Sequence, residues 1–298
     1  MSFDPTSLDE LFKRLSLANS RRVWRDLVQR AEKERWTYAD TLYVLASEEV
    51  AQRQQTRLRR VTAHARLPFL KTIDDFDFTY QSTLRLQMLG SCLSPDFVTE
   101  GRSLLLSGKP GRGKTHLAIA IAYRAIQNGF DAAFTTAAAL IDDLSSASRI
   151  GGLRSALASY IKPHVLVVDE VGYMTYGDDA ANVLFHVVNE RHLKKRAMIV
   201  TTNKSLKDWG GVLHDNDLAE AIIDRILERG RHLKLDGPSI RTKHLDLDEM
   251  GSSSEPTDPD RVSGTEGAEF PEPTSRRDVR ATHRRRAFRQ PGGNESRS

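Results

Sequence analysis

Apolar residues between Ser7 and residue 67 recur at the three- and four-residue spacing of amphipathic helices. This spacing predicts a small all-helical domain over residues 1–67. Its last helix is expected to begin near Thr37, and Pro68 is expected to prevent its continuation. The apolar positions that carry the pattern are Leu8, Leu11, Leu15, Trp24, Leu27, Val28, Leu42, Leu45, Ala46 and Val50.

The pattern changes between residues 68 and 250, where short apolar runs alternate with helical stretches. The runs are SLLLSG, AAFTTAA, HVLVVDE, AMIVTTN and HLKLD. Strands that are apolar on both faces are typical of a parallel sheet covered by helices on each side. The sequence therefore predicts a second domain over residues 68–250 with a three-layer α/β fold.

Residues 251–298 are rich in Ser, Pro, Gly and charge and have almost no aliphatic residues. This composition predicts a disordered charged tail. Arginines cluster in its second half, where they could add nonspecific affinity for nucleic acid or serve only for solubility.

The composition says more about the cellular compartment of the protein than about any reaction that it catalyses. Cys92 is the one cysteine among 298 residues, so an intramolecular disulfide is excluded and a reducing compartment, the cytoplasm, is expected. No apolar run is long enough to predict a membrane span. The nine histidines lack the spacing of a zinc site, so we expect no structural metal.

Basic residues are concentrated in the predicted helical domain, although the formal net charge of the chain is only +4. In the run QRQQTRLRR, Arg53, Arg57 and Arg60 fall on one helical face. Such a face suits a phosphate backbone, and these arginines are therefore candidates for DNA binding. A solvated surface helix is the alternative interpretation.

The stretch GKPGRGKT lies between the first apolar run and a helical pattern. The spacing of Gly108, Gly113, Lys114 and Thr115 satisfies the phosphate-loop pattern, in which backbone N–H groups and a helix N-terminus surround nucleotide phosphates. Lys114 would reach the β- and γ-phosphates of ATP, and the Thr115 hydroxyl would hold Mg²⁺. A chance strand–turn–helix is the alternative. The predicted nucleotide-binding residues are Gly108, Lys109, Pro110, Gly111, Arg112, Gly113, Lys114, Thr115 and His116.

Two acidic residues end the run HVLVVDE. At the carboxyl edge of a parallel sheet both can face the ligand crevice. Asp169 would then hold Mg²⁺, and Glu170 would polarise the water that attacks the γ-phosphate. This arrangement predicts a hydrolase, unless the strand merely happens to end in two acids.

Asn203 ends the next predicted strand, AMIVTTN, at the same sheet edge. Its neutral amide could orient the attacking water. Asn is also common in turns, so a polar residue that opens a loop is the alternative.

Taken together, GKPGRGKT, VLVVDEVGYM, IVTTN, LAEAIIDRILERG and PSIR resemble, in order, AAA+ ATPases of the initiator and helicase-loader clade. The pattern is most similar to the IstB-like proteins, the ATP-binding helpers of insertion-sequence transposition. The resemblance covers most of residues 8–246 and excludes the tail.

This resemblance implies roles for three side chains. Asn203 matches the sensor asparagine, Arg225 the arginine finger presented to a neighbouring subunit's ATP, and Arg241 the second sensor arginine. A finger that acts between subunits implies an ATP-sharing homo-oligomer. An ordinary charged helix surface is the alternative for Arg225, and the finger is the favoured interpretation. Little chain remains after Arg241 for a helical lid, which leaves the contacts of Arg241 open.

The segment between Leu140 and Tyr160 predicts two short helices, where the resembling clade places elements that face DNA or a partner. Arg149 and Arg154 are the candidate DNA contacts there. A flexible surface connection around Gly151 is an equally good account.

The function that these observations favour is an ATP-dependent DNA-binding ATPase that oligomerises on largely nonspecific duplex DNA. The resemblance adds a cognate transposase as its partner. A helicase loader with the same ATPase core is the alternative, distinguished by what its N-terminal domain grips. A small-molecule kinase is a third possibility, less favoured because a kinase needs a nucleophile-binding lid.

Overall fold

The computed structural model describes residues 5–81, 83–173, 176–177 and 179–240. The predicted disordered tail at residues 251–298 and the predicted second sensor, Arg241, lie outside these ranges.

Three helices form the N-terminal part: α1 (Pro5–Arg14), α2 (Ala18–Glu34) and α3 (Tyr38–His64). Helix α3 starts where the sequence predicts, because Thr37 and Asp40 form a reciprocal cap. The Thr37 hydroxyl accepts the Asp40 N–H, and the Asp40 carboxylate accepts the Thr37 N–H, each at 3.1 Å. The helix ends before Pro68, as predicted.

The core between these helices is smaller than the apolar pattern suggests. Trp24 and Leu27 are buried, but Leu15, Leu42 and Val50 are more than half exposed. The buried Glu49 carboxylate of α3 accepts hydrogen bonds from the Ser20 N–H and hydroxyl of α2, at 2.8 and 3.1 Å. A polar contact therefore holds part of the α2–α3 interface.

The remaining elements alternate between helix and strand. They are α4 (Leu86–Leu93), α5 (Asp96–Thr99), β1 (Ser103–Ser107), α6 (Lys114–Gln127), β2 (Ala132–Thr136), α7 (Ala137–Arg149), α8 (Leu153–Ile161), β3 (Val165–Val171), α9 (Ala180–Leu193), β4 (Ala197–Thr202), α10 (Trp209–Leu213), α11 (Asn216–Glu228) and β5 (Gly230–Lys234). The five strands and the two helices α7 and α8 confirm the elements predicted for this region.

All neighbouring strands pair in parallel, in the order β2-β3-β4-β1-β5. Leu104 and Leu106 of β1 pack on one face of the sheet with α6, whereas Leu105 packs on the other face with α7, α9 and α11. These two hydrophobic cores confirm the predicted three-layer α/β fold. Because the strands are parallel, their carboxyl ends meet at one edge, where Ser107 lies beside Thr202.

The end of α3 packs on the sheet domain. Val61 and Ala65 belong to the same core as Leu104, and the Phe134 N–H of β2 donates to the Ala65 carbonyl at 2.8 Å. The last turns of α3 thus help to cover β2, while the domain boundary near residue 67 stays a prediction. Among the described residues, no helix combines the length and apolar character that a membrane crossing needs.

Candidate nucleotide-binding site

The predicted phosphate loop joins β1 to α6. Gly113 has φ +84° and stands immediately before the first residue of α6, in a conformation that favours glycine. A Cβ atom at this position would collide with the Phe76 ring, so the local packing also requires glycine. The loop therefore delivers the chain directly to a helix N-terminus, where free backbone N–H groups favour anions.

The side chains that begin α6 lie against this loop and the next strand. The Lys114 ammonium donates to the carbonyl oxygens of Gly108 and Lys109, at 2.7 and 3.0 Å. The Thr115 hydroxyl lies 3.0 Å from both carboxylate oxygens of Asp169 at the end of β3. The predicted phosphate-binding lysine and the two predicted magnesium ligands are thus brought to one place.

A β-bulge explains how two consecutive acids can be placed at this edge. Val168 pairs with Val200 and Val171 with Thr202, so β3 contains one residue more than β4 between these pairs. Glu170 is the residue with left-handed backbone, at φ +62°, which is uncommon for a residue with a side chain. Asp169 is buried, whereas Glu170 is exposed to the cleft.

Hydrogen bonds to neighbouring residues hold this bulge. The Thr201 hydroxyl of β4 donates to Asp169 Oδ1 at 2.5 Å and accepts the Glu170 N–H at 2.9 Å. The Tyr176 hydroxyl donates to the Glu170 carbonyl at 3.2 Å. The backbone around Glu170 is therefore fixed from two sides.

Asn203 follows β4 and faces the same cleft. Its side-chain oxygen is buried and has no hydrogen-bond partner among the described residues. An unpaired buried amide oxygen is costly unless a water or ligand satisfies it. This position therefore suits an amide that contacts a bound molecule.

A cleft of about 330 Å³ lies among these groups. Burial lowers the pKa of His116 in its wall below the usual value, despite a contact with the Thr72 carbonyl that acts in the opposite direction. The cleft is lined by Phe69, Lys71, Pro110, Gly111, Gly113, Lys114, Thr115, His116, Glu170, Tyr173, Thr201, Asn203 and Ile240.

Comparison with known proteins identifies the family. Residues 10–247 match the model of a family described as IstB-like ATP binding protein. The chain belongs to this IstB-like family. The resemblance to IstB-like proteins that the motifs indicated is confirmed.

Two relatives of this IstB-like protein come from insertion sequences. The ATP-binding protein of IS5376 from Geobacillus stearothermophilus is 34% identical over 242 residues, which cover 81% of this chain and 96% of the relative. That of IS21 from Pseudomonas aeruginosa is 33% identical over 236 residues, covering 79% of this chain and 89% of the relative.

Among solved structures, that of the DnaC helicase loader is similar at 25% identity with a TM-score of 0.43. The match covers 50% of this chain and 85% of the loader. AMPPCP-bound DnaA from Aquifex aeolicus matches at 18% identity with a TM-score of 0.48, over 60% of this chain and 54% of DnaA.

Some residues predicted for the site do not line the cleft. Gly108, Lys109 and Arg112 belong to the loop but do not contribute to the cleft wall. Asp169 does not line the wall either, because its carboxylate is buried against the hydroxyl groups of Thr115 and Thr201. Arg225 lies on α11, where it pairs with Glu228 at 3.3 Å, and is absent from the cleft wall formed by the described residues. The role of Arg225 as an arginine finger therefore stays a prediction.

The three candidate DNA-binding arginines of α3 share one surface cleft of about 520 Å³, which Arg22 of α2 also lines. Two of them have protein partners as well. Arg53 contacts the Glu49 carboxylate at 2.9 Å and the Ser16 carbonyl at 2.6 Å, and Arg57 donates to the Gly129 carbonyl. Arg60 is exposed. The simple picture of a solvated face is therefore incomplete, because two of these side chains also join elements together.

Arg149 and Arg154 are both exposed, at the end of α7 and near the start of α8. Gly151 between them has φ +74° and open space where a Cβ would lie. The structure thus presents both arginines to solvent, and their contact with DNA stays a prediction.

Sequence reasoning missed several residues of the cleft wall. Phe69 and Lys71 precede the sheet by more than thirty positions, and Tyr173 and Ile240 follow other elements. Their residue types carry no signal for a nucleotide site. In the sequence, Thr201 could be recognised only as a polar residue at the end of β4. Its hydroxyl contacts two successive residues of β3 because of the bulge, which the sequence does not reveal.

Proposed function

We propose that this protein binds and hydrolyses MgATP in the cleft described above, and that nucleotide binding assembles it on duplex DNA to assist a transposase. The observation that carries the proposal is the arrangement of Thr115, Glu170 and Asn203 around one cleft beside the phosphate loop. The buried Asp169 carboxylate accepts a hydrogen bond from the Thr115 hydroxyl. The family membership supports ATP as the nucleotide.

Hydrolysis needs a group that activates water. Glu170 is the exposed carboxylate of the bulge and is the proposed general base, whereas the buried Asp169 is already engaged by two hydroxyl groups. Asn203 would hold the water with its unpaired amide oxygen. Lys114 and the N-terminus of α6 would bind the phosphates.

The residues present also fit a magnesium ion. Mg²⁺ prefers oxygen ligands and binds nucleotides with only one or two protein carboxylates. The Thr115 hydroxyl and the Asp169 carboxylate, which lie 3.0 Å apart, provide such a pair. When bound, the ion would neutralise negative charge on the phosphates.

DNA and transposase are proposed as the macromolecular partners. The relatives named above belong to insertion sequences, which supports a role in transposition. The cleft lined by Arg22, Arg53, Arg57 and Arg60 offers four guanidinium groups to a phosphate backbone. These contacts carry no base information, so binding is expected to be largely independent of sequence.

Measuring the mass of the full-length protein in solution tests the assembly. We expect a large species when MgATP and duplex DNA are both present, and a loss of this species for Lys114→Ala. A protein that stays monomeric with saturating MgATP and DNA would refute the proposed assembly. The hydrolysis part is tested separately, by phosphate release in the presence of DNA.

The partner is tested by an integration assay with the proposed cognate transposase. Addition of the protein and ATP is expected to increase strand transfer into target DNA. The Glu170→Gln and Lys114→Ala variants separate the need for hydrolysis from the need for nucleotide binding. Equal strand transfer with and without the protein would refute the proposed role in transposition.

A further inference from the structure

Thr201 joins the ends of two adjacent strands through a single side chain. It is the fifth residue of β4, its exposed fraction is 0%, and its hydroxyl contacts both acidic positions of β3. It donates its proton to the Asp169 carboxylate at 2.5 Å and accepts the Glu170 N–H at 2.9 Å. One hydroxyl thus fixes the orientation of a carboxylate and the backbone of the next residue.

The chemistry of this position demands a hydroxyl. A group that donates to one neighbour and accepts from another at this short range must be both donor and acceptor, which Ser and Thr provide. Without it, the buried Asp169 carboxylate loses a charge-assisted hydrogen bond, and the Glu170 N–H loses its acceptor. Since Glu170 has φ +62°, its backbone persists in this conformation only while the surroundings hold it.

Thr202 provides an internal comparison. It is equally buried, but its hydroxyl donates to the Val171 carbonyl at 2.7 Å and accepts the Lys204 N–H at 3.1 Å. It also accepts the Trp209 indole N–H at 3.4 Å, and none of these partners is Asp169 or Glu170. Two consecutive threonines with the same burial therefore face different partners, and only Thr201 touches Asp169 and Glu170.

We propose that Thr201 is a positioning residue for ATP hydrolysis. Its hydroxyl keeps the Asp169 carboxylate oriented toward the Thr115 side of the cleft and keeps Glu170 in the backbone conformation that exposes its side chain. This inference rests on the proposed function, because it assigns Asp169 to Mg²⁺ and Glu170 to water activation. Although Thr201 borders the cleft, its side chain is fully buried, so it is expected to act through Asp169 and Glu170 and not on the nucleotide itself.

The test compares Thr201→Val, Thr201→Ser and Thr202→Val in the full-length protein. Binding of a fluorescent ATP analogue is titrated at several Mg²⁺ concentrations, and the steady-state rate is measured with DNA present. For Thr201→Val we expect kcat to fall about 10- to 100-fold and the Mg²⁺ concentration for half-maximal binding to rise several-fold, as for other groups that orient metal ligands. The affinity for the analogue without Mg²⁺ should stay unchanged.

Thr201→Ser keeps the hydroxyl and should restore both values. Thr202→Val removes an equally buried hydroxyl and should lower the unfolding temperature without changing the Mg²⁺ dependence. If Thr201→Val and Thr202→Val have the same Mg²⁺ dependence and kcat, Thr201 has only a structural role and the proposal is wrong. If the wild-type protein binds the analogue but does not hydrolyse ATP, the proposed enzyme fails, while the Mg²⁺ titration still decides whether Thr201 orients Asp169.

Discussion

At the scale of single residues, the bulge in β3 places one of two adjacent carboxylates in a buried position and the other in an exposed position. Asp169 is buried under the hydroxyl groups of Thr115 and Thr201, whereas Glu170 opens toward the cleft. A carboxylate that already accepts several hydrogen bonds is held in place and suits a metal ligand. The exposed carboxylate has room to accept a proton from water.

This division predicts the effect of Glu170→Gln. The amide has nearly the shape of the carboxylate but cannot act as a base, so ATP and DNA binding should persist while turnover falls about 10²- to 10⁴-fold. Phosphate release and binding of a fluorescent ATP analogue measure the two effects separately. As a control, Glu32→Gln removes an exposed carboxylate of α2 and should leave turnover unchanged. Wild-type turnover in Glu170→Gln would exclude Glu170 as the base.

At the scale of elements, the positions of the strands could be predicted from the sequence better than the way in which the strands and helices contact one another. The apolar runs of the interior strands β1, β3 and β4 follow from their burial on both faces of the sheet. The edge strand β5 is the exception, because Leu233 is its one buried residue. The start of α3 was predictable because Thr37 is a standard capping residue. By contrast, the bulge at Glu170 depends on the pairing of β3 with β4, which no local pattern encodes.

The helical domain shows the same limit. Apolar spacing located α1–α3, but Leu15, Leu42 and Val50 are exposed, and the buried Glu49 occupies a position that the pattern treats as polar. Which helical face becomes buried depends on neighbouring elements that are distant in sequence. The phosphate loop was easier to locate from the sequence, because its residues are consecutive and their geometry is local.

The basic face of α3 gives a prediction for DNA binding. Replacing Arg53, Arg57 and Arg60 together by Gln should weaken duplex binding and flatten the dependence of log affinity on log salt, by about 0.9 for each lost phosphate contact. Fluorescence anisotropy at several salt concentrations measures this slope. An unchanged slope would show that these arginines of α3 do not bind the DNA phosphates.

Because Arg53 and Arg57 also contact Glu49 and the Gly129 carbonyl, the stability of this variant must be measured as well. The Arg57–Asp131 pair is exposed on both sides, so its loss is expected to cost only about 0–1 kcal/mol. The loss of Arg53 is expected to cost more, because it removes the cationic partner of the buried Glu49 carboxylate. A variant in which Lys13, Arg21 and Lys33 are replaced by Gln removes the same charge from exposed positions outside the cleft. It should bind DNA more tightly than the α3 variant.

At the scale of the whole molecule, three histidines link folding to pH. Burial lowers the pKa values of His116, His164 and His232 below the ordinary 6.5. The folded protein therefore binds fewer protons than the unfolded chain as the pH falls below that value, and stability should decrease. The loss begins near pH 6.5 and continues toward the lower folded pKa values.

Urea unfolding at pH 7.5, 6.5 and 5.5 measures this linkage, and the midpoint should decrease across the series. Asp9, Glu49 and Asp75 have lowered pKa values through hydrogen bonds and charge partners, so their contribution is lost only in more acidic solution. Replacement of His164 and His232 by Gln should reduce the slope between pH 7.5 and 5.5. A constant midpoint in this range would contradict the linkage.

The proposed assembly of subunits gives the last prediction, which concerns Arg225. This side chain is partly exposed, and its contact with Glu228 is an exposed ion pair of little strength. It does not line the cleft formed by the described residues, which is consistent with the proposed action on the ATP of a neighbouring subunit. Arg225→Ala should lower turnover about 10³-fold or more, because an arginine finger stabilises charge in the transition state.

Mixing two inactive variants distinguishes a finger from an ordinary surface arginine. Arg225→Ala retains Glu170, and Glu170→Gln retains Arg225, so a mixed assembly contains some interfaces in which both groups are intact. Turnover should therefore reappear when the two proteins are mixed with MgATP and DNA. The double variant Glu170→Gln, Arg225→Ala supplies neither group and must not restore turnover when it replaces Glu170→Gln in the mixture. If the first mixture is as inactive as its components although mixed oligomers form, Arg225 does not complete the site of a neighbour, and the shared-ATP assembly loses its chemical basis.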